Sequence, residues 1–382
     1  MHVLAIILLG RTLRPQMFGV FELALGILSY VLLAVQQGFD VIAIREVARN
    51  HKCLRNWVIA VLQVRVTLAL VAGVGIAGWT AMTGWHHPLG FLLIIFAGSL
   101  LANALTIRWS FLALGQPGPP AIASAISQAF FLGAVVFEVK SPDDFWKAAV
   151  GWVVGEFCAA IFLWTQRRPA IKYAGGPAVS SVRLLREALP VTVSLFLGQT
   201  MYNFDVLALA ALGKSDEIGL YLASYRCATG FAPLLGHFQA SILPQFARDH
   251  AEPAVLMNSA RRIALAAALA GLAIAIVVVF EAAPIIDLLF GPEYRMSAPY
   301  LRLLVLALPF QFPRAVFRQA LFASNQQASD TRNTAFGALT SVTLDVALVP
   351  SWGAFGCSVS SLCSEFVLLV CSWHALERKR SA

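Results

Sequence analysis

From Val66 to Ile107 the chain runs for forty-two residues without one Asp, Glu, Lys or Arg. About 20 helical residues cross the hydrocarbon of a bilayer, so this stretch holds two crossings, joined where Gly84, Trp85, His86, His87 and Pro88 supply turn chemistry. Barrel strands would alternate polar and apolar residues in segments of about ten, and these runs are continuously apolar. Only 13% of the chain is charged and 59% is apolar, against about 25% charged in soluble domains. The expectation is an all-α polytopic membrane protein.

The chain repeats itself. Gly19, followed by Val20 and Phe21, corresponds to Gly219, followed by Leu220 and Tyr221; further along, Ala48 and Arg49 correspond to Ala247 and Arg248. A second echo sets Arg108, Ala113 and Gln116 against Arg318, Ala323 and Gln326. Internal repeats at this scale mean two related halves. Spans are expected near 1–10, 19–44, 57–84, 89–114, 119–138, 146–166, 189–212, 218–246, 263–290, 299–324, 333–350 and 353–376. That makes twelve, the first truncated at about half a crossing, so that either the coding sequence starts upstream or this helix is short and propped by neighbours. A signal peptide is not expected from these first residues, which show no basic n-region and no small-x-small cleavage site before Arg11.

Six spans per half give both halves the same orientation, as two parallel six-helix lobes around a central cleft. The N-lobe is 1–166, a polar inter-lobe linker 167–188, the C-lobe 189–376 and a basic tail 377–382. Sixteen Lys and Arg residues fall on one side of the spans, among them Arg45, Arg186, Arg261, Arg332 and Arg378, and six on the other, so the richer side and both termini face the cytoplasm. This also accounts for the net charge of +8 without a nucleic-acid partner.

Gly73, Gly75 and Gly78 have the letters of a dinucleotide fingerprint but sit inside the charge-free stretch, where close helix packing explains them. Gly213, Lys214 and Ser215 lack the first glycine of a phosphate-binding loop. Six scattered cysteines show no ligand spacing and read as small apolar residues. No cofactor, metal or catalytic set is expected. Charges inside spans are costly and therefore candidates for function. Arg108 and Arg318 lie roughly 12 Å from the cytoplasmic glutamines at ~1.5 Å per residue. Arg314 is one turn from Arg318 on the same face. Arg226 has Gly26 as its repeat equivalent, whereas that lobe carries Glu22 four residues earlier. Arginine pairs two phosphate oxygens with a planar fork and keeps its charge at any ambient pH. Arg108, Arg226, Arg314 and Arg318 are thus the candidates for holding an anion in the cleft, with Asp205 and Glu22 as charge partners or proton sites. The other intramembrane acids are Asp40, Glu156, Glu281, Asp287, Asp345 and Glu365, of which Glu281, Asp287 and Glu365, nearer span ends, read mainly as structural partners.

Several patches carry a family resemblance. They are Leu9 to Phe21, Gly38 to Ala48, Leu189 to Asp205, Glu217 to Arg226, Phe290 to Tyr294 and Val349 to Gly356. Taken in order, they resemble the multidrug/oligosaccharidyl-lipid/polysaccharide (MOP) exporter superfamily, specifically its polysaccharide-export branch of O-antigen-type flippases. The resemblance implies two six-helix lobes, alternating access, and movement of a polyprenyl-pyrophosphate-linked oligosaccharide across the bacterial inner membrane for polysaccharide, lipopolysaccharide or O-antigen synthesis. It implies no enzymatic activity; partners would be the lipid-linked oligosaccharide, membrane lipids and glycan-assembly membrane proteins. The chain departs from the family at its start, where the polar leader and complete first helix are missing. The carboxylate that cation-coupled drug exporters place in that helix is missing too. The alternatives are a cation-coupled multidrug exporter, a membrane-embedded glycan polymerase or ligase, which would need a large extracytoplasmic loop, and an inactive copy.

Overall fold

The computed structural model describes residues 2–36, 38–84, 87–166, 179–230, 235, 238–239, 242, 245–246, 253–324 and 326–381. Among the described residues all regular structure is helical, with no strand. Eight helical runs among the described residues are long and apolar enough to cross a membrane, or nine if a pair bent by 43° is one span. Their outward side chains are apolar, as Val74, Met82, Phe137, Leu269 and Phe280 illustrate, which suits lipid rather than water as the outer solvent.

The first two expected spans are not separated by a loop. A helical run, α1 (His2–Gln36), continues through the interval and breaks only at Arg14, whose φ of 62° and ψ of 165° are non-helical. Pro15, which lacks an N–H and disfavours the α region for the residue before it, accounts for the interruption and for the extended ψ, though not for the sign of φ. Gly38, with a φ of 64°, then ends the run and starts α2 (Phe39–Arg49). The charge-free stretch forms α3 (Leu54–Thr83) and α4 (Pro88–Leu105), turning at Gly84 with a φ of 100°. Proline opens α4 where its missing N–H has no intrahelical partner to lose.

The expected span 89–114 is broken too. Thr106 is extended, and Arg108 begins a short separate helix, α5 (Arg108–Ala113). The carbonyl of Leu105, freed by the break, accepts the indole N–H of Trp164 at 2.8 Å, as an interrupted helix in a bilayer requires. Next come α6 (Gly118–Gly133), which ends in a π turn over Ala134–Glu138, and α7 (Phe145–Thr165). A side chain at Gly155 would come within 2.7 Å of the Ser127 carbonyl, and one at Gly151 would overlap Ala134. The small-residue spacing on α7 therefore lets α6 approach backbone to backbone.

Residues 167–178 of the expected linker lie outside the described residues; its far end is already helical as the start of α8 (Ser181–Ala211). There follow α9 (Ser215–Thr229), α10 (Pro253–Phe280), α11 (Ala282–Leu289), α12 (Ala298–Val305), α13 (Leu308–Ala323), α14 (Gln327–Trp352) and α15 (Ala354–Ser381). Most of the second half of the expected span 218–246 lies outside the described residues. The expected span 263–290 starts earlier, at Pro253, because a helix need not stop where its apolar run does. The expected span 299–324 is the bent pair, with Pro309 opening the second helix.

The chain divides into two compact units, Met1–Leu13 with Val20–Phe196, and Arg14–Gly19 with Leu197–Ala382. In the first, Phe39, Val47, Leu54, Val61, Trp109 and Leu184 form a buried cluster. In the second, the two repeat-related glycines meet. A side chain at Gly19 would come within 2.7 Å of the Gly219 nitrogen, and one at Gly219 would overlap the Pro15 carbonyl oxygen. Phe18 packs beside them against Phe290 and Tyr294, with ring centroids 5.9 and 6.0 Å apart.

Candidate functional site

In the first unit the break between α4 and α5 places Arg108 at a helix start, where its guanidinium lies 3.7 Å from Glu156 on α7. Glu156 is held from other sides as well. Ser127 Oγ donates to it at 2.5 Å and Asn103 Nδ2 at 3.5 Å, while Gln36 Nε2 donates to Asn103 Oδ1 at 3.4 Å. These donors and the arginine supply the polar partners that a carboxyl group needs at membrane depth. Glu22 is buried on α1. Arg65, which sits near a span start, is 1% exposed and pairs with Asp40 at 2.8 Å.

In the second unit α13 carries two of the candidate arginines, Arg314 and Arg318. Arg314 Nε lies 3.2 Å from Glu365 Oε2 on α15, and both side chains are largely buried. Gln311, one turn earlier, donates to the other oxygen of Glu365 at 3.4 Å. Arg318 points to a different acid, Asp330 at the start of α14, at 3.1 Å, with its guanidinium 5.2 Å from the centre of the Phe322 ring. Arg226 is half-buried in the last turn of α9, where the helix dipole favours a cation.

Asp205 is buried in α8, accepting a hydrogen bond from the Tyr221 hydroxyl of α9 and another from the backbone N–H of Val206 at 2.8 Å. Nearby, Asp345 of α14 is fully buried and accepts from Ser341 Oγ at 3.3 Å. Ser360 donates to the Ser341 carbonyl at 3.1 Å, and Cys357 approaches the Asp205 carbonyl at 3.8 Å. Among the described residues no Lys, Arg or His forms an ion pair with either acid. A cavity of about 70 Å³ is lined by Asp205, Tyr225, Thr229, Gln311, Ser364 and Glu365, among others. It has space for water or a small ion, and is far below the 300–1,000 Å³ of ordinary ligand sites.

The structure thus joins Asp205 and Arg314, through Glu365, at one cavity, and sets Arg318 one turn along the same helix. Arg226 adjoins Tyr225 of that cavity wall. Arg108 and Glu22 belong to the first unit. Gln311 and Asn103, which each donate to a glutamate, are not among the residues expected at the site, nor are Glu156 and Asp345, while Glu365 has the structural pairing expected of it. The repeat carried the missing signal, since Glu365 follows Glu156 at almost the interval by which Arg318 follows Arg108. Each half therefore pairs an arginine of this region with the equivalent glutamate. Among the described residues no three His, Cys, Asp or Glu side chains are grouped to hold a metal ion.

The family described as polysaccharide biosynthesis protein matches residues 1–250. No curated protein matches significantly. Among solved structures, the lipid II flippase MurJ in its inward closed conformation superposes with a TM-score of 0.79 at 13% identity, over 98% of this chain and 86% of that one. An inward-facing multidrug resistance MATE transporter of the MOP superfamily gives 0.76 at 15% identity, over 99% and 93%. The Vibrio cholerae MATE transporter VcmN in its bent form gives 0.55 at 12%, over 100% and 96%. These likenesses concern the fold, whereas the match over residues 1–250 shows the family: the chain belongs to the polysaccharide biosynthesis protein family and has the helical fold of MOP-superfamily membrane proteins.

Proposed function

We propose that the protein flips a polyprenyl-pyrophosphate-linked oligosaccharide across the bacterial inner membrane by alternating access, for polysaccharide or O-antigen synthesis. The family match over residues 1–250 carries this reading, and the likeness in fold to a lipid II flippase agrees with it. In the proposal both termini face the cytoplasm, the lobes at 1–166 and 189–376 rock about the segment between them, and no covalent chemistry is involved. The partners are the lipid-linked oligosaccharide, bilayer lipids and glycan-assembly membrane proteins.

Arg108, Arg226, Arg314 and Arg318 hold the pyrophosphate. Without substrate, Glu156, Glu365 and Asp330 compensate three of these cations, at 3.7, 3.2 and 3.1 Å. Phosphate oxygens offer a guanidinium the same planar, two-point geometry as a carboxylate, so substrate takes the place of an acid without leaving a bare charge in low dielectric. Asp205 and Glu22 act as charge partners or proton sites, and the cavity beside Asp205 gives a proton or small ion somewhere to reside.

Replacing Arg226 or Arg318 by Ala leaves membrane insertion normal and impairs export of lipid-linked sugar. The assay is the fraction of that intermediate still protected from a periplasmic glycosidase in cells. Full export by both variants would remove these arginines from the site. The nearly equal superposition with a MATE transporter supports a second reading, cation-coupled drug export. That reading gains if deleting the gene changes drug sensitivity and leaves glycan export intact.

A further inference from the structure

A second cluster of cationic side chains lies at the far end of α14 and α15 from their connecting turn, outside the pairs described above. A cavity of about 440 Å³ there is lined by Arg332, Asn333, Phe336, Cys371, His374 and Arg378, together with Ala375. The lining residues of α15 recur at the three- and four-residue steps that mark one helix face, and those of α14 include Phe336 one turn from Arg332. No carboxylate is among them. Glu377, the nearest acid on α15, pairs with Arg261 at 2.8 Å and lies 3.9 Å from His374. Among the described residues Arg332 and Arg378 form no ion pair.

The decisive group is Asn333. It is 4% exposed, and its Nδ2 finds no acceptor among the described residues. A buried amide left unsatisfied costs free energy unless something enters to accept its hydrogen bond. Two guanidinium groups, an imidazole and an unsatisfied amide line one cavity, and all four can donate to a tetrahedral oxyanion.

We propose that this cavity binds the phosphate of an anionic phospholipid from the leaflet it faces. A lipid is favoured over a free anion by what borders the basic cavity. Phe336 is 50% and Leu339 63% exposed on α14, and Trp373 is 44% exposed beside His374. They offer an apolar run for acyl chains next to a headgroup site, at the basic end of the helices where the positive-inside rule places the cytoplasmic leaflet. The site is separate from the substrate arginines and holds whether or not the flippase reading does.

The test uses the full-length protein in a neutral detergent, titrated with short-chain phosphatidylglycerol, with phosphatidylcholine of the same chain length, and with inorganic phosphate. Phosphatidylglycerol is expected to bind measurably tighter than phosphatidylcholine. Arg332→Gln and Arg378→Gln should each weaken it about fivefold, from roughly 1 kcal/mol per basic residue near the surface. Asn333→Asp should weaken it further by setting an acid against the phosphate. The arginine variants should melt like wild type without lipid, which keeps the result readable if Asn333→Asp fails to fold. Equal binding of the two lipids, or unchanged binding in both arginine variants, overturns the proposal. Inorganic phosphate binding as tightly as phosphatidylglycerol overturns its lipid source.

Discussion

The Arg314–Glu365 pair separates folding from transport. Its atoms lie 3.2 Å apart, with side chains 13% and 7% exposed. At an effective dielectric constant of about 20 two unit charges at that distance attract by about 5 kcal/mol. Desolvating both ions offsets most of this, so the pair adds little net stability, but removing one member of a buried pair costs about 3–5 kcal/mol. Glu365→Gln takes the paired carboxylate from Arg314; Arg314→Gln leaves Glu365 with Gln311 at 3.4 Å, too weak a donor to replace a cation. Each single change should lower the thermal midpoint of the purified protein by several degrees, at about 2–4 °C per kcal/mol for a unit of this size. The double variant Arg314→Gln with Glu365→Gln removes both charges at near-constant volume and should recover most of the loss. It should still fail to export lipid-linked sugar, because the anion-holding guanidinium is gone. Losses that simply add in the double variant would refute the reasoning, since independent sites add and a coupled pair does not.

Two further perturbations probe the backbone. Gly219→Ala drives a methyl into the Pro15 carbonyl and should destabilise by about 1–3 kcal/mol, whereas Gly26→Ala, with open space around it, should be neutral or mildly stabilising; thermal melts of the two variants check this. Arg14→Gly relieves a φ of 62° and loses only an exposed contact with Glu293 at 3.5 Å. It should raise the midpoint by the equivalent of about 1 kcal/mol.

The membrane class was legible because a charge-free run at Val66–Ile107 permits few other folds. The repeat was legible because Gly19 and Gly219 are both needed where one backbone crosses another. Helix ends were less so. Thr106 and the bend before Leu308 break spans at points where hydropathy does not change, because in lipid a freed carbonyl can be satisfied by a distant group, as that of Leu105 is by Trp164. The arginines stood out as expensive residues, but their partners did not. An acid within an apolar run looks the same whether it faces a cation, as Glu365 does, or uncharged donors, as Asp205 and Asp345 do among the described residues. Asn103 and Gln311 carry no charge and left no mark in the hydropathy pattern, although both position a glutamate.

The most direct measurement is transbilayer movement of a labelled polyprenyl-pyrophosphate oligosaccharide in vesicles containing only this protein, read as the fraction that becomes accessible to an external glycosidase. The account predicts full accessibility with wild type and strongly slowed conversion with Arg318→Ala at equal protein content. Conversion no faster than in protein-free vesicles, in preparations that move a cationic drug, would contradict it.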